Sequence, residues 1–167
     1  MKKVITMLLV GLMLLGGTVA IYAEEPTDLS EEVLLEKGAG ASILKEFTEE
    51  IHRLNDLRIE RKQLEIQMIG KRDQLIELRL EAKEAENKEA LEAVRKEREQ
   101  LKTINDEIKA FHEQASEARV AFREAVKSKD QETAGAELDK LINAVSSINE
   151  KLEDKIEVLN TVIDILS

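Results

Sequence analysis

The chain has 167 residues, 25 Lys+Arg against 35 Asp+Glu for a net charge of -10, and no cysteine. Disulfides, thiol catalysis and thiol-linked lipid anchors are therefore excluded, and so overall acidic a chain lacks the clustered cations that phosphate neutralisation in nucleic-acid binding needs. With 36% charged residues, 2% aromatics and a single proline, the composition is that of long helices rather than of a strand-based core.

Lys2 and Lys3 precede an apolar run from Val4 to Leu15, followed by Gly16, Gly17 and Thr18, small residues at Ala20 and Ala23, and the acidic pair Glu24 and Glu25. A positive start, an apolar middle and a small-residue exit are the marks of a secretory signal peptide. Residues 1–23 are expected to be that signal, with cleavage after Ala23 or, second, after Ala20. An uncleaved anchor is the competing reading, because Val4 to Ile21 approaches the length of a membrane span. Removal of residues 1–23 takes two lysines and no acid, leaving 23 basic against 35 acidic residues, a net of -12. The expected location is extracytoplasmic, in a periplasm, a cell envelope or the medium, with no stable membrane span after cleavage.

Residues 24–41 read as a flexible leader with a short helix from Glu31 to Lys37, capped by Ser30 and ended by Gly38 and Gly40. Residues 42–167 carry three long helical patterns, over about 42–85, 88–127 and 131–166. In the first, Phe47, Leu54, Leu57, Leu64, Met68, Leu75, Leu78, Ala82 and Ala85 recur at steps of three, four or seven, with Arg61 and Lys71 in the same register. Gly70 lies inside it as a weak point worth about 1 kcal/mol relative to alanine. Asn87 is the expected cap of the second helix and Asp130 of the third. Ile148, Leu152 and Ile156 follow each other at steps of four, as in a stutter. The expected fold is all-α: an elongated antiparallel helical hairpin or a three-helix bundle with coiled-coil character.

Candidate chemistry is sparse. Glu49 and His52 have the spacing of a helical di-iron ligand pair, but the residue at the matching place before His112 is Lys109. Helix-surface histidines are the better reading. Glu81, Glu84, Glu86, Glu89 and Glu92 make a solvated acidic tip rather than a calcium loop, which needs closely spaced oxygens and a glycine bend. No phosphate-binding loop, dinucleotide fingerprint or nucleophile elbow occurs. The chain is expected not to be an enzyme and to hold no metal and no cofactor.

The first long helix carries a second apolar stripe. At 100° per residue from Leu54, its seam lies between about 240° and 360°, whereas Ile51, Ile59, Ile66, Ile69, Ile76 and Leu80 lie between about 40° and 140°. The two centres are about 150° apart, so one partner helix cannot cover both. Either this helix touches both other helices of its bundle, or the stripe meets a second copy or an unfolded client. The candidate binding surface is Ile59, Ile66, Ile69, Ile76 and Leu80 with the basic residues Arg58, Arg61 and Lys62, and the candidate partners are protein: a homodimer or a client. Basic residues collect between Ile51 and Arg72 and acids from Asp130 onward, which suits complementary pairing of the first and third helices. A membrane-surface or anionic-polymer contact through the basic segment is the lesser alternative.

The stretch Lys129 to Ser167, KDQETAGAELDKLINAVSSINEKLEDKIEVLNTVIDILS, resembles the final helix of the Spy and CpxP group of extracytoplasmic stress proteins. The resemblance covers about a quarter of the chain. Where that group commonly continues into Ile-Leu-Thr-Pro-Glu-Gln, this chain has Ile165, Leu166 and Ser167, and no Leu-Thr-x-x-Gln element occurs elsewhere. The architecture is also similar to Skp-type chaperones, which are basic and carry strands. The first resemblance implies ATP-independent chaperoning or envelope-stress sensing through apolar and charged helix faces. The alternative function is a structural coiled-coil spacer or adaptor of the envelope with a fixed partner.

Overall fold

A computed structural model describes residues 41–167. The signal, its cleavage position, and the short helix expected over Glu31–Lys37 lie outside the described residues. Four helices follow in order: α1 Ala41–Glu46, α2 Thr48–Glu84, α3 Lys88–Ser128 and α4 Gln131–Leu166. No strand occurs among the described residues, and the protein is an all-α helical bundle.

A single helix from Ser42 to Ala85 is the sequence expectation, with Ser42 as its cap. Instead Ser42 lies inside α1, and the chain breaks at Phe47, whose φ of -102° and ψ of 23° are outside the helical well. The Phe47 N–H donates to Leu44 O at 3.2 Å, and the Thr48 hydroxyl donates to Lys45 O at 2.8 Å. These tight three-residue bonds replace the four-residue ladder. Across the break, the Phe47 ring stands edge-on to Phe122 of α3, with centroids 6.4 Å apart and planes at 70°. It also touches α4 at Gly135, where an added Cβ would meet the ring at 3.3 Å. The junction of α1 and α2 thus packs on both α3 and α4 through one aromatic residue.

The two turns between the long helices are built alike. After α2, Glu86 takes a positive φ of 53°, its N–H donates to Lys83 O at 3.1 Å, and the Asn87 N–H donates to Ala82 O at 2.9 Å. After α3, Lys129 takes φ 61°, its N–H donates to Val126 O at 3.2 Å, and the Asp130 N–H donates to Ala125 O at 2.9 Å. Each pair of bonds is a Schellman closure, which satisfies the last free carbonyls of the helix. The next residue then caps the following helix: Asn87 Oδ1 accepts from the Ala90 N–H at 3.1 Å, and Asp130 Oδ1 from the Thr133 N–H at 3.0 Å. The hydrogen bonds to Thr133 hold the Asp130 carboxyl below its ordinary range. Neither left-handed position is glycine, so each carries a Cβ penalty. Lys129→Gly is expected to stabilise the protein by about 1 kcal/mol, read as a higher urea midpoint.

Such short turns make α2 and α3 antiparallel, and α3 and α4 antiparallel, so α2 and α4 run parallel. The helix α4 packs along both α2 and α3, which approach each other much less closely. That placement explains its sequence. Leu138, Leu141, Val145, Ile148, Leu152, Ile156, Leu159 and Ile163 are all buried, including the three residues at steps of four. The core joins Leu64, Met68 and Leu75 of α2 to Val94, Ile104 and Ile108 of α3 and to the α4 seam.

Polar bonds set the register of α4 against its neighbours. Asn149 is buried, and its amide nitrogen donates to Leu57 O at 2.8 Å and to Glu60 Oε2 at 2.7 Å on α2. Lys71 Nζ donates to Asn160 Oδ1 at 2.5 Å, and Gln131 bonds Glu46. Towards α3, Lys151 Nζ is 3.2 Å from Glu107 Oε2, and Lys155 Nζ donates to Asn105 Oδ1 at 2.5 Å. Bonds to Asp154 and Glu107 hold the Lys151 ammonium above its ordinary value.

Lys155 is pushed the other way, from 10.5 down to about 8, first by burial and then by the like charge of Arg72 on α2. The folded state therefore releases this proton near pH 8, whereas the unfolded chain holds it to about 10.5. Between those values the unfolded state binds more protons, so the Lys155 contribution raises stability as pH increases. Urea midpoints measured at pH 7, 9 and 10 are expected to rise relative to those of Lys155→Met, which lacks this proton.

Candidate protein-binding surface

In α2 the seam faces inward, with Leu54, Leu64, Met68, Leu75 and Ala82 buried against the bundle. Roughly opposite, the side chains of Ile59, Ile66, Ile69, Ile76 and Leu80 stay in water, at 59%, 68%, 57%, 47% and 40% exposure. All five belong to the second stripe, and neither α3 nor α4 covers them. Because its two stripes oppose each other, α2 is much less one-sided in hydropathy than α3 or α4. Single exposed apolar residues are ordinary, whereas an aligned row of β-branched and leucine side chains is a candidate binding surface. From Ile59 to Leu80 the row is about 32 Å long.

The three basic residues grouped with the stripe separate. Lys62 lies within it, exposed, with Nζ 2.9 Å from Glu65 Oε2. Arg58 is half-buried at its margin, and its Nη1 donates to Asn55 Oδ1 at 3.2 Å. Arg61 does not reach this face: it is 2% exposed and occupies a seam position, with Nε 4.0 Å from Glu65 Oε1. Its place in the register of Leu54 and Leu64 is the signal for this, since a residue seven after one seam position and three before another shares their face. Gly70 borders the stripe in open space, with nothing within 4 Å of an added Cβ. Asp73, exposed, lies in the stripe between Ile69 and Ile76.

His52 is exposed on α2 and His112 is half-buried on α3. Among the described residues no three His, Asp or Glu side chains are grouped to hold a metal ion. The five glutamates around the α2–α3 turn are all exposed. No helix among the described residues is long and apolar enough to cross a membrane. Asn149, between Ile148 and Glu150 and one helical turn from Leu152, joins α4 to α2, and no signal in the sequence sets it apart from a solvated polar residue.

No protein family, curated protein or solved structure matches this chain.

Proposed function

We propose that this chain is an exported, non-enzymatic protein that acts by binding protein through the outer face of α2. One observation carries the reading: five large apolar side chains stand in a row on the side of α2 that the bundle leaves uncovered. Burying an Ile or Leu from full exposure stabilises an association by about 1.5–3 kcal/mol, and these are roughly half exposed, so the row offers a substantial driving force. The order of residues at the amino terminus supports export.

The stripe is a heptad row interrupted by Lys62 and Asp73, and such interruptions specify register and partner at a cost in stability. This favours a fixed partner, in a structural spacer or adaptor of the envelope. Chaperoning of unfolded clients, as the resemblance to the Spy and CpxP group implies, is the second reading. The two separate in one experiment on the purified chain. A chaperone suppresses aggregation of an unfolded substrate near stoichiometric ratio, and Ile59→Lys/Ile66→Lys abolishes that protection. For a fixed-partner protein, aggregation is unaffected and the double substitution changes only the oligomeric mass.

A further inference from the structure

The outer face of α2 has a polarity pattern that identifies its occupant. In heptad terms Ile59, Ile66, Asp73 and Leu80 share one position, and Lys62, Ile69, Ile76 and Lys83 share the other. All eight side chains are exposed. We propose that this face binds the same face of a second copy of the chain, with the two α2 helices antiparallel and the twofold axis between Ile66 and Ile69; this rests on the protein-binding reading above.

Charge complementarity selects the arrangement. With Ile66 facing Ile69 of the partner subunit, Ile59 faces the partner's Ile76, and Lys62 faces the partner's Asp73. Both charged interruptions then meet an opposite charge, and every layer between them is isoleucine. A parallel in-register pair would instead set Lys62 against the partner's Lys62 and Asp73 against the partner's Asp73, which repels. Sliding the antiparallel pair by one heptad sets Lys62 against either Leu80 or Ile66 of the partner subunit, leaving a charge against an apolar side chain. At the margins Glu65 faces the partner's Arg72, while Arg58 faces the partner's Arg79. Such flanking pairs contribute little, so the central layers decide. Towards the ends, Leu80 meets the partner's Asn55 and Lys83 the partner's His52, where the apolar row stops.

The absence of cysteine makes the register directly measurable. In the proposed pair, residue 59 and its own counterpart are about 26 Å apart along the axis, while residues 59 and 76 are in contact. Full-length protein, expressed with its export signal and purified as the cell processes it, is made as Ile59→Cys and as Ile76→Cys. The two are oxidised separately and after mixing. Disulfide-linked dimer is expected in the mixture, at about tenfold or more over either variant alone. Efficient linkage of either variant with itself overturns the antiparallel register.

Sedimentation equilibrium supplies the second arm. The unmodified chain is expected at twice the monomer mass. Lys62→Asp and Asp73→Lys should each weaken association about tenfold or more, and the double exchange should restore it to within about threefold. Both residues are exposed, so circular dichroism should show the fold unchanged in all three. A chain that is monomeric at about 100 μM overturns the self-pairing. If that monomer protects an unfolded client through Ile66 and Ile69, the protein-binding reading stands without the homodimer. If it does not, the self-pairing and the chaperone reading are both overturned, and binding through this face is left to a fixed partner of another sequence.

Discussion

Phe122→Ala is expected to lower the unfolding free energy by about 3–5 kcal/mol, a large share of the roughly 5–15 kcal/mol that holds a domain together. Phe122 is fully buried, and its ring is the surface against which Phe47 stands. Truncation opens a cavity beside the Phe47 ring, at the junction of α1 and α2 that packs on α3 and on α4 at Gly135. The thermal midpoint should fall by about 10–20 °C. Phe122→Leu, which keeps most of the volume, should cost less than half as much. A loss below about 1 kcal/mol for the alanine variant would show that the aromatic junction does not hold the bundle end together.

The second large effect is expected at Asn149. Its amide donates to a backbone carbonyl and to the Glu60 carboxylate from a buried position. Asn149→Asp removes both donors and places a carboxylate against two acceptors, one of them charged. The cost at pH 7 is expected to be about 3–5 kcal/mol, comparable to leaving a buried charge unpaired. The new carboxyl is neutralised more readily in the folded state than in the unfolded chain, so the penalty should shrink as the pH is lowered towards 4. Chemical denaturation of the variant at pH 4 and pH 7 measures this; equal losses at both would mean that charge is not the cause. Asn149→Leu, which carries no charge, is expected to cost much less, while loosening the register that the polar bond sets between the parallel helices α2 and α4.

Both residues belong to the buried inner side of the bundle, while the proposed partner surface lies on the exposed side of α2. This division makes the functional test clean. Substitutions in the row from Ile59 to Leu80 remove no core contact, so they should change association while leaving the unfolding free energy of the single chain within about 0.5 kcal/mol. Phe122 and Asn149 should do the reverse.

Much of this architecture is legible in the residues. The spacing of apolar side chains in α3 and α4 shows helices with one buried face. Asn87 and Asp130 are cap residues because their side-chain oxygens reach a free backbone N–H two or three residues on. The stripe on α2 is equally plain, since 100° per residue separates it from the seam. The break at Phe47 is hidden, because it arises from an aromatic ring reaching across two other helices and no local glycine or proline announces it. The Schellman closures at Glu86 and Lys129 are hidden for a different reason: the left-handed position carries an ordinary charged residue in place of the usual glycine, held there by the paired closing hydrogen bonds. Asn149 stands in a mixed polar and apolar stretch, and only the position of α2 beside it shows that it is buried and what it bonds.

Helical class, the three long helical segments and the existence of two apolar faces on α2 follow from the sequence alone, because they depend on periodicity and capping within one segment. Which of those faces stays open depends on the tertiary structure. The helix α4 is apolar enough to serve both neighbours, so it takes the central position and satisfies the α2 seam. The row from Ile59 to Leu80 then has no helix among the described residues covering it. The packing of α2 and α3 on α4, more than the hydropathy of any one of them, leaves that surface uncovered among the described residues.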